Sequence, residues 1–401
     1  MATEDHDIQE IAFFNLKGKK FKWNSNKPEA GKDAVGNLKT GGLEEVFKLF
    51  SAEIGGGQNA EELKSLFKRA YLEHENLTDA TRFLANELFK DYGLVIIDAE
   101  ENQLKKQFLP FLKKELLEKF SYHSTAPTAD KLLELGYEVQ VNPREINLFY
   151  LKNGLRERII ERDEKFYVHS TEISWKKDEL MAEVKAHPER FSPNVMMRPL
   201  YQEVILPNLC YIGGGGELSY WLELKKMFDN AEIPFPILLL RNSALLETAK
   251  QNEKRKKLNI SQEELFLKPY ELINRKVRKI SNIDINFSPQ KEHLVNQFQE
   301  MYKLAEETDK SFLGAVKAQE VKQLKGLDHL EKRLLKAQKR KLKDEVERIS
   351  SLQNQLFPQK GLQERQTNFS EFYLNYGKEL IPFLIENLDP LDLQFKILTL
   401  G

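Results

Sequence analysis

Two short apolar runs on either side of a glycine run constrain the fold of this chain most strongly. The first, LCYI, occupies 209–212 and the second, PFPILLL, occupies 234–240, with a helix-like stretch from Tyr220 to Asn230 between them. Both runs are continuously apolar, which is typical of strands buried on both faces of a parallel sheet. Strand, helix and strand in this order predict a βαβ unit. A third apolar run of strand length, LVIID at 94–98, predicts a further buried strand.

Two other regions differ from this pattern. Short segments rich in β-forming residues (EVQV, NLFYL, RERII, KFYVH) predict a small antiparallel meander over 131–172. Residues 290–357 contain no proline, and their apolar residues recur mostly at spacings of three and four, which predicts two long helices or one helix bent near Gly326. This apolar seam has charged flanks and favours an antiparallel coiled coil and a dimer.

The charge balance and the single cysteine exclude several classes of protein. With 61 Lys and Arg against 62 Asp and Glu, no global basic field indicates a nucleic-acid partner. One cysteine, Cys210, excludes an intramolecular disulfide framework, and inside an apolar strand it is interpreted as a small buried hydrophobe. No apolar run reaches the roughly 18 residues of a spanning helix, and no signal-peptide pattern opens the chain. We therefore expect a soluble, cytoplasmic protein with neither membrane nor nucleic acid as partner.

An acidic cluster stands near the first residue. Glu4, Asp5, His6 and Asp7 come directly before IAFFNL, which predicts a strand. Such a cluster can coordinate a divalent cation or supply general acid and base groups, or it can be a solvated acidic turn. The residue types alone leave these alternatives open.

The glycine run, Gly213, Gly214, Gly215 and Gly216, has two interpretations. Glycines after a strand either let backbone N–H groups approach a ligand at the start of a helix or form a tight turn that binds nothing. The spacing matches neither the P-loop nor a clean dinucleotide-binding pattern. Spacing alone therefore gives ligand contact and a plain turn equal weight.

Several segments together resemble the bacillithiol synthase family, identified as the cysteine ligases of a low-molecular-weight thiol pathway. They are ATEDHDIQEI at 2–11, NLFYL at 147–151, the 42 residues from His187 to Phe228, the long helical region, and LNYGKEL near the C-terminus. The stretch from His187 to Phe228 is specific, and the resemblance covers essentially the whole chain. Members of this family carry more sequence before the acidic motif, including a glycine-rich turn. The resemblance therefore implies that Met1 is an internal methionine and that the family's N-terminal segment is missing.

The resemblance implies an α/β fold with three kinds of part: a Rossmann-like parallel-sheet core, a small inserted β-rich or mixed connecting domain, and a long helical coiled-coil domain. The corresponding division is 1–130 for the first part of the core, 131–172 for the β-rich insert, 173–288 for the continued core, 289–358 for the coiled-coil helices, and 359–401 for a C-terminal helical segment packed on the core. The coiled coil is implied to mediate a homodimer.

The resemblance also implies an activity. Family members add L-cysteine to glucosaminyl-malate in the last step of bacillithiol biosynthesis, joining the cysteine carboxyl to the glucosamine amine. An amine does not displace a carboxylate oxygen without activation, so ATP is expected, with bound ATP or ADP implied between core and coiled coil; a metal requirement stays open. Two alternatives stand beside this: a truncated, non-catalytic fragment or dimeric nucleotide-binding module, and a Rossmann-like adenylating enzyme acting on another acid and amine.

Roles for particular residues follow from the resemblance. The acidic motif, Glu4, Asp5, His6 and Asp7, is expected to position substrate, a metal or the attacking amine. Arg198 is expected to clamp a malyl carboxylate or a phosphate, or else to pair internally with a residue such as Glu203. Substrate contact is expected from Gly213, Gly214, Gly215, Gly216 and Glu217, with Tyr220 and Trp221 either lining the same cleft or packing in the core. Nucleotide contact is expected from Asn375, Tyr376 and Gly377.

Overall fold

The structure is a computed structural model that describes residues 13–23, 34–152, 154–308 and 310–401. Two compact units make up the fold. The first runs to Ser243 and includes Thr367–Lys396, and the second comprises Ala244–Gln366 with Ile397–Gly401. The five segments predicted from the sequence do not coincide with these units. Segment 173–288 crosses the boundary at 243/244, segment 359–401 crosses those at 366/367 and 396/397, and the boundary predicted after residue 288 lies inside the second unit.

A hairpin and three helices come first in the first unit. Strands β1 (Phe13–Leu16) and β2 (Lys19–Lys22) pair antiparallel. Helices α1 (Leu43–Ile54), α2 (Gln58–Leu72) and α3 (Leu77–Phe89) follow. Asn76 begins α3 as its cap, because its side-chain oxygen accepts the Asp79 N–H at 2.8 Å and so satisfies a free donor of the first turn.

Three further helices lead into an antiparallel sheet. The helices are α4 (Asn102–Gln107), α5 (Leu109–Glu118) and α6 (Phe120–Glu134). The strands are β3 (Leu148–Lys152), β4 (Leu155–Arg162), β5 (Lys165–Val168), β6 (Ser174–Trp175) and β7 (Phe191–Pro193), with α7 (Lys177–Ala186) between the last two in the chain. Their spatial order is β6-β5-β4-β3-β7. The meander is confirmed for three of its four predicted segments, which form β3, β4 and β5. The prediction of a strand at EVQV (138–141) is wrong, because these residues have no strand partner among the described residues and the Gln140 N–H donates to the Glu223 side chain instead. Residues 131–134 belong to α6, and β6 and β7 extend the sheet beyond residue 172.

The strand, helix, strand order of the predicted βαβ unit is confirmed in the same part of the chain. The prediction that both strands are buried on both faces is wrong, because Ile212 is 53% exposed and Ile237 is 71% exposed. Helix α8 (Arg198–Ile205) precedes β8 (Cys210–Gly213), and α9 (Gly215–Glu223) and α10 (Lys225–Ala231) connect β8 to β9 (Ile237–Leu240). Strands β8 and β9 pair in parallel, with Cys210 opposite Ile237. Two helices stand where one was predicted, and the first of them begins at Gly215 rather than at Tyr220.

The prediction of a strand at 94–98 is wrong. These residues have no strand pairing in the described chain, and Val95 is 73% exposed. A strand is held by hydrogen bonds to a neighbouring strand, and the parallel sheet of the described chain contains β8 and β9 alone. Apolar sequence therefore did not suffice to make a strand here.

The main core of the first unit lies between the five-stranded sheet and helices α5 to α10. Its largest fully buried side chains include Phe108, Tyr201, Trp221 and Phe228. Each large apolar side chain buried in this way stabilises the fold by roughly 1.5–3 kcal/mol. The loop between β8 and α9 is thus attached to a rigid base.

The second unit is mainly helical. Its elements are β10 (Ala244–Thr248), α11 (Ala249–Lys257), α12 (Pro269–Ile280), α13 (Ser288–Glu306), α14 (Lys310–Lys341), α15 (Lys343–Leu356) and α16 (Gln363–Gln366). Helix α14 continues through Gly326, so the pair of long helices is confirmed and the break comes at Leu342 instead. The chain then returns to the first unit with α17 (Ser370–Tyr376) and α18 (Leu380–Asn387), and strand β11 (Lys396–Leu400) joins β10 in a two-stranded sheet.

Candidate functional site

The glycine run is a strand-to-helix turn whose first residue is required by close packing. A Cβ on Gly213 would lie 2.7 Å from Cε1 of Tyr211 and 3.3 Å from Cβ of Glu217. The Gly213 carbonyl also accepts the Arg241 N–H at 2.9 Å, next to the last pair of the β8–β9 ladder. Gly213 therefore lets the Tyr211 ring fold back over the end of the strand.

Glu217 caps the helix that follows. Its Oε2 accepts the Gly214 N–H at 2.7 Å, and the Leu218 N–H donates to the Gly214 carbonyl at 2.9 Å. A carboxylate three residues into a helix satisfies a free backbone donor and faces the positive end of the helix dipole. This cap explains why α9 begins among glycines, which by themselves disfavour helix.

Gly215 and Gly216 have no steric reason to be glycine. Both are exposed, and a Cβ at either position would meet no atom within 4 Å. Open space therefore lies over the first turn of α9, where a bound molecule can approach the backbone closely.

Tyr211 is the residue of this site that sequence reasoning missed. Its ring stacks on Trp221 with centroids 4.1 Å apart, and its hydroxyl donates to Oε1 of Glu217 at 3.3 Å. Burial, and after it the neighbouring Tyr220 and Glu217, raise the pKa of Tyr211 to about 12, so the phenol keeps its proton at neutral pH. A signal was available, because residues two apart on a strand share a face and Tyr211 stands two before Gly213.

Arg198 faces the same site from the start of α8. Its Nη2 donates to the Tyr220 hydroxyl at 3.5 Å. The alternative pairing with Glu203 is wrong, because the described residues form no such ion pair and Glu203 accepts both the backbone N–H and the side-chain Nδ2 of Asn208, at 2.8 and 3.0 Å. The Arg198 guanidinium therefore retains donors for a ligand.

Tyr220 and Trp221 divide between the two roles considered for them. Tyr220 is largely buried but turns its hydroxyl to Arg198. Trp221 is 0% exposed and packs edge-on or tilted against Phe228 and Phe235, so it belongs to the core. Trp221 supports the site through the Tyr211 ring rather than by lining an open cleft.

Asn375, Tyr376 and Gly377 lie at the end of α17, against α2. A Cβ on Gly377 would lie 2.6 Å from the Asn59 side-chain oxygen, and its φ of +58° favours glycine. The Asn375 amide donates to the Glu371 carbonyl at 3.1 Å, within its own helix. Burial raises the pKa of Tyr376. The contacts here are those of a packed helix end, and nucleotide contact stays a prediction.

Comparison with known proteins places this geometry in a family. Residues 1–242 match the family model described as "Bacillithiol biosynthesis BshC, N-terminal Rossmann-like domain", and residues 244–400 match "Bacillithiol biosynthesis BshC, C-terminal coiled-coil domain". The chain belongs to the BshC family. Its Rossmann-like part contains the whole Arg198, Tyr211, Glu217 and Tyr220 cluster, and the boundary at 242–244 coincides with the boundary between the two compact units.

Individual BshC relatives agree along the whole chain. A protein of Christiangramia forsetii is 71% identical over 100% of this chain and 74% of its own length, and one of Flavobacterium johnsoniae is 57% identical over the same shares. A more distant one, from Lysinibacillus sphaericus, is 24% identical over 96% of this chain and 74% of its own. Each carries the name "Putative cysteine ligase BshC".

The remaining predicted site residues of this BshC chain are placed as follows. Glu4, Asp5, His6 and Asp7 lie outside the described residues. Cys210 is half-buried rather than fully buried. Among the residues that the structure covers, no group of three or more His, Cys, Asp and Glu side chains could hold a metal ion. No helix in that part of the chain is long and apolar enough to cross a membrane.

Proposed function

We propose that this protein joins L-cysteine to glucosaminyl-malate through an amide bond, the last step of bacillithiol biosynthesis. One observation carries the proposal: both BshC domains match, and a relative named as a cysteine ligase is 71% identical over the full chain. The open turn at the start of α9, next to a guanidinium with donors to spare, suits a substrate that carries carboxylates.

The chemistry assigns each group a task. The cysteine carboxylate first attacks a phosphorus of ATP and forms either an acyl phosphate, with release of ADP, or an acyl adenylate, with release of pyrophosphate. The glucosamine amine then attacks the acyl carbon, loses a proton and expels phosphate or AMP. In this scheme Arg198 holds a substrate carboxylate, Glu217 and the backbone of Gly213–Gly216 define the other wall, and the Tyr220 hydroxyl fixes the guanidinium. Glu4, Asp5, His6 and Asp7 position the amine, a metal or the substrate, and Asn375, Tyr376 and Gly377 contact the nucleotide.

We further propose a homodimer in the cytoplasm. Helices α13 and α14 form a groove of about 520 Å³ lined by Gln290, His293, Gln297, Gln323, Leu327 and Leu330, among others. Exposed apolar side chains on paired helices are typical of surfaces that a second copy covers. A reducing compartment suits both a cysteine substrate and a chain with one free thiol.

Mass spectrometry of the reaction mixture tests the activity. Protein incubated with L-cysteine, glucosaminyl-malate and ATP should yield the condensation product, whose mass is the sum of the two substrates minus water. Omitting ATP should abolish it, and L-serine should not replace L-cysteine. Product with other acids or amines but none with this pair would favour the general adenylating enzyme, and no product with any substrate would favour a non-catalytic module.

A further inference from the structure

The cluster at the start of α9 contains two opposite charges that are not paired with each other. No ion pair joins Arg198 to Glu217 in the described chain. Each Glu217 oxygen accepts one hydrogen bond, from the Gly214 N–H and from the Tyr211 hydroxyl, and the bond found for Arg198 is to the Tyr220 hydroxyl. A carboxylate oxygen accepts two bonds and a guanidinium donates five, so both groups keep capacity for a ligand.

The Arg198 guanidinium and the Glu217 carboxylate lie close to each other at the start of α9. Glu217 and Tyr220 are three residues apart on α9 and so lie on the same face of the helix. The Tyr211 hydroxyl is 3.3 Å from Oε1 of Glu217, and Nη2 of Arg198 is 3.5 Å from the Tyr220 hydroxyl. The Tyr211 ring is fixed by its stack on Trp221, and the Tyr220 side chain is largely buried. The phenols therefore hold the carboxylate and the guanidinium on the same side of the turn.

Charge complementarity decides which substrate group fits between them. A dicarboxylate such as a malyl group would place two negative charges beside Glu217, which like-charge repulsion disfavours. An α-amino acid carries one ammonium and one carboxylate on a single carbon, and so matches one carboxylate and one guanidinium. Gly215 and Gly216 leave the space above the turn open for it.

We infer that this cluster binds the zwitterionic amino-acid substrate, with its α-ammonium on the Glu217 carboxylate and its α-carboxylate on the Arg198 guanidinium. The inference rests on the proposed function and refines it, because it assigns Arg198 to the cysteine carboxylate rather than to the malyl group. Tyr211 and Tyr220 are then positioning residues for the two charges.

Binding calorimetry with three thiols separates the two contacts. L-Cysteine has both charges, cysteamine lacks the carboxylate, and 3-mercaptopropionate lacks the ammonium. Glu217→Gln should weaken the binding of L-cysteine and of cysteamine by roughly ten- to a hundredfold and leave the binding of 3-mercaptopropionate unchanged. Arg198→Gln should weaken the binding of L-cysteine and of 3-mercaptopropionate to the same degree and leave the binding of cysteamine unchanged. Glutamine at 217 retains a carbonyl to cap Gly214, so the helix should persist, as circular dichroism would verify.

Asp229→Asn is the matched control, since Asp229 is an exposed carboxylate on the neighbouring helix α10, paired with Lys225. It should bind all three thiols as the unaltered protein does, and L-malate should not displace L-cysteine. Three results would overturn the inference: both site variants lose binding of all three thiols equally, L-malate displaces L-cysteine, or the protein binds none of the thiols. Product formation is measured separately in the condensation assay. If cysteine binding depends on both charges but no product forms, the ligase activity alone is refuted. If product forms but cysteine binding does not depend on both charges, the zwitterion site alone is refuted.

Discussion

Gly213 and Gly216 stand in the same run but do different things. The missing side chain of Gly213 makes room for Tyr211, whose ring is wedged between the strand end and Trp221, whereas that of Gly216 borders open space. The sequence presents four identical residues and cannot distinguish them. Only the direction of the Tyr211 side chain reveals that the run is both a packed turn and an open surface.

Alanine at these two glycines should have opposite effects on stability. Gly213→Ala should lower the free energy of unfolding by about 1–3 kcal/mol, because the Tyr211 ring must leave its stack to avoid the new Cβ. Gly216→Ala should raise it by up to about 1 kcal/mol, because alanine favours helix and meets no neighbour. Urea unfolding followed by tryptophan fluorescence measures both. Equal stability of the two variants would contradict the packing described for Gly213.

Among the elements, two of the segments that resemble the family are joined through Glu183 on α7. Tyr150, from NLFYL, donates to Oε1 of Glu183 at 2.7 Å, and Arg190, from HPERF, donates to the same oxygen at 2.6 Å. Burial opposes ionisation of Glu183, but these two hydrogen bonds, together with the positive charges of Arg190 and His187, outweigh it and lower its pKa. This junction ties β3 to the turn before β7.

The lowered pKa predicts a pH-dependent contribution to stability. The folded state binds the Glu183 proton less readily than the unfolded state, so the contribution is complete above the ordinary pKa of 4.5 and is lost as the pH falls through the lowered value. Glu183→Gln should therefore cost about 1 kcal/mol or more at pH 7 and less as the pH is lowered. Thermal unfolding from pH 7 to pH 3, with the exposed Glu172→Gln as control, measures the difference. A stability loss that does not change with pH would contradict this account.

Elements were predictable where the signal is local. The apolar periodicity of the long helices, the short segments rich in β-forming residues and the βαβ order are all local features of the sequence. Whether residues 94–98 form a strand could not be predicted in this way, because strand pairing depends on a partner distant in sequence. The start of α9 was missed for another reason: a side-chain cap from Glu217 overrides the poor helix propensity of glycine.

The whole molecule should self-associate through its coiled-coil part. Leu330 is 52% exposed on α14 and lines the groove between α13 and α14. Leu330→Glu should convert a dimer to a monomer in sedimentation equilibrium without lowering the unfolding temperature of the monomer, because the side chain does not belong to the core. The exposed Lys322→Glu serves as control for the added charge. A dimer that persists in Leu330→Glu would refute this groove as the interface.

We propose that the cluster of Arg198, Tyr211, Glu217 and Tyr220 is the substrate site of a BshC cysteine ligase. Its most direct test is the rate of condensation product formed from L-cysteine and glucosaminyl-malate by the unaltered protein, by Arg198→Gln and by Asp229→Asn. We expect the unaltered protein and the Asp229 variant to form product at equal rates. In Arg198→Gln the rate should be roughly a hundredfold lower, which corresponds to the loss of one charge-assisted hydrogen bond. An Arg198→Gln protein that forms product at the full rate would show that the reaction takes place elsewhere in the molecule.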